Sequence, residues 1–405
     1  MKRIISLALA FAILLTLAAC GGQENPADDE IKPDTGGMAL QKIQDFVVYD
    51  EEGAYSTFPS LARTQDGNYL LAFRHAPDRR GTHDGLVTHT DPESVTYVVK
   101  STDGCVTWDE PRVIRWLPGC GNQDPVLNVL EDGTVLLTVF FWRFFDGDSR
   151  PMLEKVIGGA GEIHDSMGLT TYCAGSYSYV SRDGGDTWEG PHLISENYYI
   201  RGKCAQLPPS TQGEAGTVLA PLYGMAPGGG SQAAIFASRD GGVTWEPYAF
   251  VAGPQGKSQT AHEPALLRTQ SGRIFCFIRT DDGMYACYSD DDGRSFCEPK
   301  ATGLAANVPY DALQLPSGNV YLAYGHRKEP YGIRALLLDG ECNGITPERE
   351  VVLRDDGLGS DISYVSSQVL PEGDILTVYY YYTEKSGERR FIAGTIMRET
   401  EEGLS

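Results

Sequence analysis

The chain has 405 residues, and its 33 Lys and Arg against 55 Asp and Glu give a formal net charge of −22. Such an acidic surface repels phosphate groups, which argues against a nucleic-acid partner. Hydrophobic residues make up 41% of the chain, enough for a core and too many for a disordered protein. The 47 Gly, 23 Pro and 22 Tyr favour an all-β fold, since Gly and Pro mark turns and Tyr is frequent in strands.

The N-terminus has the pattern of an export signal. Two basic residues precede an apolar run, 4–19, that is too short and wrongly flanked for a membrane-spanning helix. Residues 17–20 (Leu-Ala-Ala-Cys) resemble the lipobox of bacterial lipoproteins, in which the cysteine is acylated. We therefore predict a signal peptide over 1–19 and an exported protein held at the bacterial membrane or cell surface only by a lipid on Cys20. The alternative is an ordinary export signal with a chance cysteine.

Composition sets two further boundaries. Residues 20–42 are rich in Gly, Pro and acidic residues without periodicity and predict a flexible tether, and residues 43–400 predict a single domain. The eight remaining cysteines form no C-x-x-C pair, which argues against a zinc site. We expect neither a metal nor a cofactor. Cys276 and Cys287 flank a turn, and the sequence leaves open whether they form a disulfide or are buried thiols.

The first internal repeat is a β-hairpin: a short apolar run, a turn that ends in Gly, and a stronger apolar run. No helical period of comparable length competes with it. Five copies have clear turns, and a looser sixth copy surrounds Gly216. The five turns are Asp66-Gly67, Asp132-Gly133, Ser271-Gly272, Ser317-Gly318 and Glu372-Gly373.

The second repeat reads S-x-D-x-G-x-[TS]-[WF], and each of its four copies follows a strand-like run. Its Ser, Asp and Gly favour a tight turn, and its aromatic residue is expected to pack back on the sheet. Six hairpins, four of them followed by this turn, predict one six-bladed β-propeller with four-stranded antiparallel blades, closed by the segment 46–49 against the last blade. The copies are 101–108 (with Cys105 at the Gly position), 181–188, 238–245 and 289–296.

This second repeat resembles the Asp-box of the sialidase (neuraminidase) superfamily. The similarity runs from about Tyr55 to Tyr382, most of the chain after the signal peptide. Asp-boxes indicate the fold strongly and the activity weakly, because non-hydrolytic proteins carry them too. The resemblance therefore implies a sialidase-like propeller, and the activity has to be argued from individual residues.

Hairpin geometry indicates independently where such residues collect. A residue nine before the turn Gly and one seven after it both lie far from the turn, at the same end of an antiparallel pair. In a propeller these ends converge at one mouth of the central channel, so an acid pair, a Tyr and two Arg are expected there. The nine-before positions are Phe58, Asp124, Leu207, Glu263, Pro309 and Tyr364. The seven-after positions are Arg74, Phe140, Tyr223, Arg279, Gly325 and Tyr380.

The resemblance implies catalytic and substrate-binding roles for five residues. Tyr364 matches the nucleophilic Tyr of sialidases, and Glu263 matches the Glu that accompanies it. Arg279 and Arg334 match two members of the arginine triad that binds the substrate carboxylate. Asp84 lies in the loop where the family has its general acid.

The sequence departs from the family at the first Arg of that triad, where Thr57 stands instead. Arg74, on the adjacent strand end, is a candidate to supply the missing guanidinium group. Alternatively, the substrate has no sialic-acid carboxylate, or catalysis is lost. Asp124 also lies outside the family pattern and is a candidate substrate-binding or acid–base residue.

The predicted function is an exo-acting glycoside hydrolase that removes terminal sialic acid, or a related acidic sugar, from a glycan with retention. A neutral Tyr avoids the repulsion that a carboxylate nucleophile would meet at a keto-acid sugar. A phenol with a pKa of about 10 is a weak nucleophile, so a Glu must take its proton. Two alternatives stay open: a propeller glycosidase acting on a different glycan, and a non-catalytic glycan-binding lipoprotein.

Overall fold

Six antiparallel sheets follow one another along the chain, and each sheet is one blade of a β-propeller. The computed structural model describes residues 35–79, 89–114, 117–157, 163–209, 216–257 and 259–401. Within these ranges the blades are built of consecutive antiparallel strands, which confirms the predicted all-β, six-bladed fold. No helix in the same ranges has the length and apolar character that a membrane span requires.

The elements are named in chain order. The closing strand is β1 (Met38–Tyr49). The first blade contains β2 (Ala54–Arg63), β3 (Tyr69–Pro77), β4 (Val95–Ser101) and β5 (Arg112–Val113). The second contains β6 (Cys120–Val129), β7 (Val135–Asp146), a 3₁₀ turn (Gly147–Ser149), α1 (Arg150–Ile157), β8 (Ile163–Ser166), β9 (Leu169–Ser181) and β10 (Glu189–Ser195). The third contains β11 (Tyr198–Ile200), β12 (Ala205–Gln206), β13 (Val218–Met225), β14 (Ser231–Ser238) and β15 (Glu246–Ala252). The fourth contains β16 (His262–Arg268), β17 (Ile274–Thr280), β18 (Gly283–Ser289) and β19 (Lys300–Ala301). The fifth contains β20 (Tyr310–Gln314), β21 (Val320–His326), β22 (Gly332–Leu338), a 3₁₀ turn (Pro347–Arg349) and β23 (Val351–Arg354). The sixth contains β24 (Ser363–Val369), β25 (Ile375–Tyr381) and β26 (Phe391–Glu401).

The ring closes where β1 pairs with β26 and becomes the outer strand of the sixth blade. Phe46 lies opposite Gly394, and Met38 lies opposite Glu401. Met38 and Leu40 also pack against the apolar core between the last two blades. The strand therefore begins inside the segment 20–42, which the sequence predicts as a tether. The prediction misses the start of the strand because its partners are distant in the sequence and local composition does not reveal them.

The Asp-box turns hold themselves together with local hydrogen bonds. In the copy at 181–188, the Gly185 N–H donates to Ser181 Oγ at 2.8 Å, and the Thr187 N–H donates to Asp183 at 2.9 Å. Gly185 has a φ of 88°. A Cβ atom added there would lie 2.6 Å from Leu70 of the first blade, so this turn also packs one blade against its neighbour.

The structure of the fourth blade shows whether Cys276 and Cys287 form a disulfide or are buried thiols. Cys276 and Cys287 lie directly opposite each other in β17 and β18. Both are buried, and both are free thiols. In this structure the pair therefore contributes to the core between the blades as small apolar side chains.

Candidate active site

Four inner strands carry a β-bulge at the same end of the propeller. Phe58, Asp124, Glu263 and Tyr364 have φ values of 54°, 51°, 44° and 52°, and the pairing register shifts at each of them. Bulges re-aim side chains, and left-handed backbone at residues other than Gly is costly, so such residues often belong to functional sites. Pro follows the first three of them, and Pro has no N–H that the interrupted ladder would leave unpaired.

Three of the predicted side chains meet at the centre of this mouth. The Tyr364 hydroxyl donates to Glu263 Oε1 at 2.6 Å. Arg279 Nη1 donates to Glu263 Oε2 at 2.6 Å and to the Tyr364 oxygen at 3.3 Å. Arg279 Nε donates to Asn307 at 2.7 Å, which fixes the guanidinium plane. The geometry expected for a Tyr and its accompanying Glu is therefore present.

Burial and charge set the protonation of this pair. Burial, and then the negative charge of Glu263, raises the pKa of Tyr364, so the phenol is neutral at rest. Burial opposes ionisation of Glu263, but the charge of Arg279 and the hydrogen bonds from Arg279 and Tyr364 outweigh it and lower the Glu263 pKa. The resting site thus holds a phenol that donates to a carboxylate, which is the arrangement a proton transfer needs.

Two guanidinium groups cover the ring of Tyr364. The Cζ atoms of Arg201 and Arg327 lie 5.1 Å and 5.5 Å from its ring centroid, within the range of cation–π contacts. Arg201 Nη2 donates to the Pro59 carbonyl at 3.3 Å, and Arg327 Nη2 donates to the Tyr380 hydroxyl at 3.1 Å. Together with Arg279, these groups place three positive charges around Tyr364.

Sequence reasoning missed Arg201 because the hairpin alignment is wrong in the third blade. The aligned residue, Leu207, lies beside the turn, where its N–H donates to the Thr217 carbonyl. The strand that reaches the mouth is β11, in which Tyr199 lies opposite Tyr223. Arg201 follows β11 directly and thereby enters the site. Only the poor match of the sixth hairpin copy signalled this departure.

Arg327 was missed for a different reason. It follows the end of β21 at His326 and lies two residues beyond the aligned position Gly325. Its Nε and Nη2 atoms donate to the Ile362 carbonyl at 3.2 Å and 3.0 Å, next to the bulge that contains Tyr364. A side chain that reaches the site from a loop is invisible to an argument based on strand ends.

Arg74 and Asp124 are buried ionisable residues of the first and second blades. Arg74 is 0% exposed and lies opposite Thr57 in the β2–β3 pair. Asp124 is also buried and accepts a hydrogen bond from Gln123 Nε2 at 3.2 Å. Burial, opposed by the charge of Arg201 and assisted by that of Glu263, raises the pKa of Asp124 to about 7. Asp124 can therefore carry a proton near neutral pH.

The remaining predicted residues lie elsewhere. Arg334 is buried in β22, where its Nη1 donates to the carbonyls of Ile333 and Arg354 at 3.1 Å and 2.8 Å. These hydrogen bonds direct the Arg334 guanidinium group toward the backbone. The guanidinium groups that contact the Tyr364 ring are those of Arg201 and Arg327. Asp84 and Cys20 lie outside the described residues. In the described part of the chain, no group of three or more His, Cys, Asp or Glu side chains is arranged to hold a metal ion.

The rim of the mouth contains a polar hub around Asp361, which sequence reasoning did not single out. Its carboxylate accepts hydrogen bonds from the Tyr55 and Tyr380 hydroxyls at 2.6 Å and 3.0 Å, and it pairs with Arg390 at 2.9 Å. His89 Nε2 lies 3.9 Å from the same carboxylate. These contacts connect the segment that precedes β24 to the first blade and so support the backbone next to Tyr364.

The fold is that of a sialidase-like β-propeller. Residues 163–376 match the family model described as a BNR repeat-like domain, and the chain belongs to that family. No curated protein matches the chain.

Several solved structures are similar. A protein of unknown function from Dyadobacter fermentans has 30% identity and a TM-score of 0.78, over 89% of this chain and 99% of that one. Hadza microbial sialidase Hz136 has 17% identity and a TM-score of 0.60, over 87% and 68% of the two chains. The intramolecular trans-sialidase from Ruminococcus gnavus has 15% identity and a TM-score of 0.56, over 88% and 96%. The similarity to the latter two shows the shared fold.

Proposed function

We propose that this protein is an exo-acting glycoside hydrolase that removes a terminal acidic sugar of the sialic-acid type, with retention of configuration. The observation that carries the proposal is the 2.6 Å hydrogen bond from Tyr364 to Glu263, with Arg279 bonded to both. A pure binding protein gains nothing from a phenol aligned with a buried carboxylate on strained backbone. A nucleophile with an adjacent base needs that alignment.

In the first step the phenol oxygen of Tyr364 attacks the anomeric carbon, and its proton passes to Glu263. The bond from that carbon to the leaving oxygen breaks, and an acid protonates the leaving oxygen. In the second step water attacks the anomeric carbon and gives a proton to the conjugate base of that acid. The bond to Tyr364 then breaks, and Glu263 returns its proton to the phenol oxygen.

Two residues are candidates for the acid. Asp84 is the one that the family resemblance implies. Asp124 is the one whose burial supports the role, since its pKa of about 7 keeps it partly protonated at neutral pH. One substitution distinguishes the two assignments. Asp84→Asn would abolish protonation of the leaving oxygen if Asp84 is the acid, and would leave it intact if Asp124 is the acid.

The positive charges around Tyr364 support an anionic substrate. Arg201, Arg279 and Arg327 surround the predicted nucleophile in a chain whose net charge is −22. Arg279 and Arg327 are therefore proposed to bind the sugar carboxylate. Arg201 is proposed to supply the guanidinium group of the first triad Arg, which Thr57 replaces in this chain. The predicted contacts of Arg74 and Arg334 with the substrate stay predictions. In the structure Arg74 is entirely buried, and Arg334 bonds backbone carbonyls.

The replacement of the first triad Arg by Thr57 favours a second candidate, in which the same machinery acts on a different acidic sugar. Hydrolysis of a fluorogenic sialoside by the purified protein separates the two. Release of the fluorophore by the wild type, and its loss in Glu263→Gln, supports the sialidase. No release from the sialoside, with release of sugar from other acidic glycosides, supports the second candidate. Binding of glycans without any release contradicts both.

We also propose that Cys20 is acylated and anchors the mature protein to the membrane after export. The support is the sequence pattern of 17–20 after a basic and apolar leader. Growth with a labelled fatty acid should label the wild type and leave Cys20→Ala unlabelled. Labelling of the variant would contradict the proposal.

A further inference from the structure

The inner strand of the third blade is interrupted, and the chain leaves the sheet at the interruption. Ile200, at the end of β11, lies opposite Leu222 of β13, and Ala205, at the start of β12, lies opposite Leu219. Four residues, 201–204, therefore stand against only two residues of β13 and form no ladder with them. We call residues 201–204 the central loop.

The central loop contacts all five of the other blades. The Cys204 N–H donates to Asn128 Oδ1 at 2.9 Å, and the Lys203 carbonyl accepts from the Leu266 N–H at 3.2 Å. A segment with partners in every blade takes its conformation from the assembled ring and not from its own sequence. In blade order, partners of the loop are Pro59, Asn128, Leu266, Asp311 and Tyr364.

Gly202 places the loop directly against the strand that carries Glu263. A Cβ atom added at Gly202 would collide with the Pro264 carbonyl and would lie 2.7 Å from the Cα atom of Ala265. Only glycine allows so close an approach of two backbones. This contact holds the backbone from which the flanking side chains Arg201 and Lys203 extend.

Lys203 anchors the loop on the fifth and sixth blades. Its Nζ atom lies 2.8 Å from Asp311 Oδ1 and donates to the Ser367 carbonyl at 3.2 Å. The Oδ2 atom of Asp311 accepts a hydrogen bond from the Ser367 N–H at 2.7 Å. The Lys203 and Asp311 side chains are only 16% and 5% exposed, so removal of one partner would leave the other charge uncompensated.

Arg201 depends on such an anchor because its own contacts are few. Its Nη2 atom donates to the Pro59 carbonyl at 3.3 Å, and its Cζ atom lies 5.1 Å from the centroid of the Tyr364 ring. Within the described ranges its Nε atom has no hydrogen-bond partner, although the side chain is 5% exposed. The guanidinium group thus keeps donors for an anionic ligand, and its place is set by the loop that carries it.

We infer that Lys203, paired with Asp311, is a positioning residue: it sets the central loop so that Arg201 lies beside Tyr364 and binds the acidic group of the substrate. This inference rests on the proposed function and deepens it. A guanidinium group that reaches the mouth from a loop lacks the support of a strand ladder, and the ion pair supplies that support from two other blades.

The test is a mutant cycle on the KM for an acidic glycoside. Lys203→Met combined with Asp311→Asn removes the ion pair and leaves no buried charge unpaired, so the fold should be kept. We expect this double variant to raise KM about tenfold with kcat within about twofold, and Arg201→Met to raise KM at least as much.

The cycle is completed by combining all three substitutions. If the ion pair acts through Arg201, its removal from the Arg201→Met variant should change KM by less than about a further twofold. An unchanged KM in the Lys203→Met and Asp311→Asn double variant would overturn the inference. Independent increases that multiply in the triple variant would overturn it as well.

The matched control is Lys100→Met combined with Asp186→Asn. Lys100 Nζ lies 2.6 Å from Asp186 Oδ1, the Lys100 side chain is 13% exposed, and the pair joins the first two blades away from Tyr364. This control should lower the melting temperature and leave KM unchanged. A tenfold rise of KM in the control would mean that KM reports the loss of any pair between blades, which would overturn the positioning role.

A crystal structure of the Lys203→Met and Asp311→Asn double variant keeps the test independent of turnover. We expect the Arg201 Cζ atom to lie beyond about 6 Å from the Tyr364 ring centroid, outside the range of a cation–π contact. An unmoved Arg201 would overturn the inference. If the wild type neither hydrolyses nor binds any acidic glycoside, the proposed function fails, whereas a displaced Arg201 in this crystal still supports the positioning role of Lys203.

Discussion

The two ends of the second blade use aspartate in opposite ways. At the turn end, Asp183 is exposed and accepts hydrogen bonds from Ser181 at 2.7 Å and from the Thr187 hydroxyl at 2.5 Å. Although burial acts to raise it, the bonds from Thr187 and Ser181 lower the pKa of Asp183 to about 2. At the mouth end, Asp124 is buried on left-handed backbone, and its pKa is raised to about 7.

The contrast between Asp183 and Asp124 distinguishes two kinds of residue. Residues at the turn end stabilise the fold, whereas residues at the mouth end are held by the fold in a strained backbone conformation. The Asp-box satisfies its polar groups within eight residues, so it forms wherever its sequence occurs. The mouth residues depend on partners from other blades, as Tyr364 of the sixth blade depends on Glu263 of the fourth. Buried charge and strained backbone persist only where the surrounding structure over-determines them.

The largest expected effect is at the mouth. Tyr364→Phe removes the oxygen that is proposed to attack the sugar and keeps the ring that contacts Arg201 and Arg327. We expect kcat/KM for an acidic glycoside to fall about 10³-fold or more, because an activated nucleophile acts as a unit with its base. The control is Tyr379→Phe, a buried Tyr whose hydroxyl bonds Thr395 at 2.6 Å within the sheet. Equal activity of the two variants would remove Tyr364 from the mechanism.

The next effect is on substrate binding. Arg327→Met should lower kcat/KM about 30-fold or more, mainly through KM, because it removes a guanidinium group that is proposed to bind the substrate carboxylate. Arg182→Met is the control, since Arg182 pairs with Glu189 on the exposed surface at 2.7 Å, and it should change neither constant. An unchanged KM in Arg327→Met, measured by steady-state kinetics, would contradict the role of this guanidinium.

A smaller effect is expected on the pH dependence of stability. The pKa of Asp124 is about 7 in the folded protein and about 4 in an unfolded chain, so the folded state binds more protons between these values. Its contribution to the free energy of unfolding is therefore present below pH 4 and is lost as the pH rises to about 7. Asp124→Asn should show a shallower decline over this window in denaturant titrations, and the exposed Asp132→Asn should follow the wild type. Parallel curves for Asp124→Asn and the wild type would contradict the raised pKa.

The smallest effect is at the turn end. Asp183→Ala removes the acceptor of one Asp-box and should lower the free energy of unfolding by about 1–3 kcal/mol, with kcat/KM unchanged. Thermal unfolding and steady-state kinetics on one preparation check both parts. A large loss of activity with unchanged stability would mean that the two ends of the blade are not separate in function.

Sequence patterns predict the fold well because its determinants are local. The Asp-boxes and Gly turns each lie within a few residues, and the six hairpin copies give the number of blades. The start of β1 at Met38 escaped prediction since its partner, Glu401, lies at the other end of the chain.

The site was predictable in part for the same reason. Tyr364, Glu263 and Arg279 are at strand positions that a hairpin alignment can compare. Arg201 and Arg327 reach the mouth from chain segments just beyond strands, and the position of a guanidinium group at the end of a long side chain is decided by tertiary contacts. The bulges that aim Tyr364 and Glu263 inward also left no sequence pattern beyond the Pro residues that follow three of the four.

The most direct test of the central claim is a search for the covalent intermediate. The protein is incubated with a fluorinated sialic-acid donor that slows the second step, and its peptides are analysed by mass spectrometry. We predict an adduct of the sugar mass on the peptide that contains Tyr364 in the wild type, and no adduct in Tyr364→Phe. Turnover of an unmodified sialoside with no adduct, or an adduct on another residue, would contradict the assignment of Tyr364 as the nucleophile.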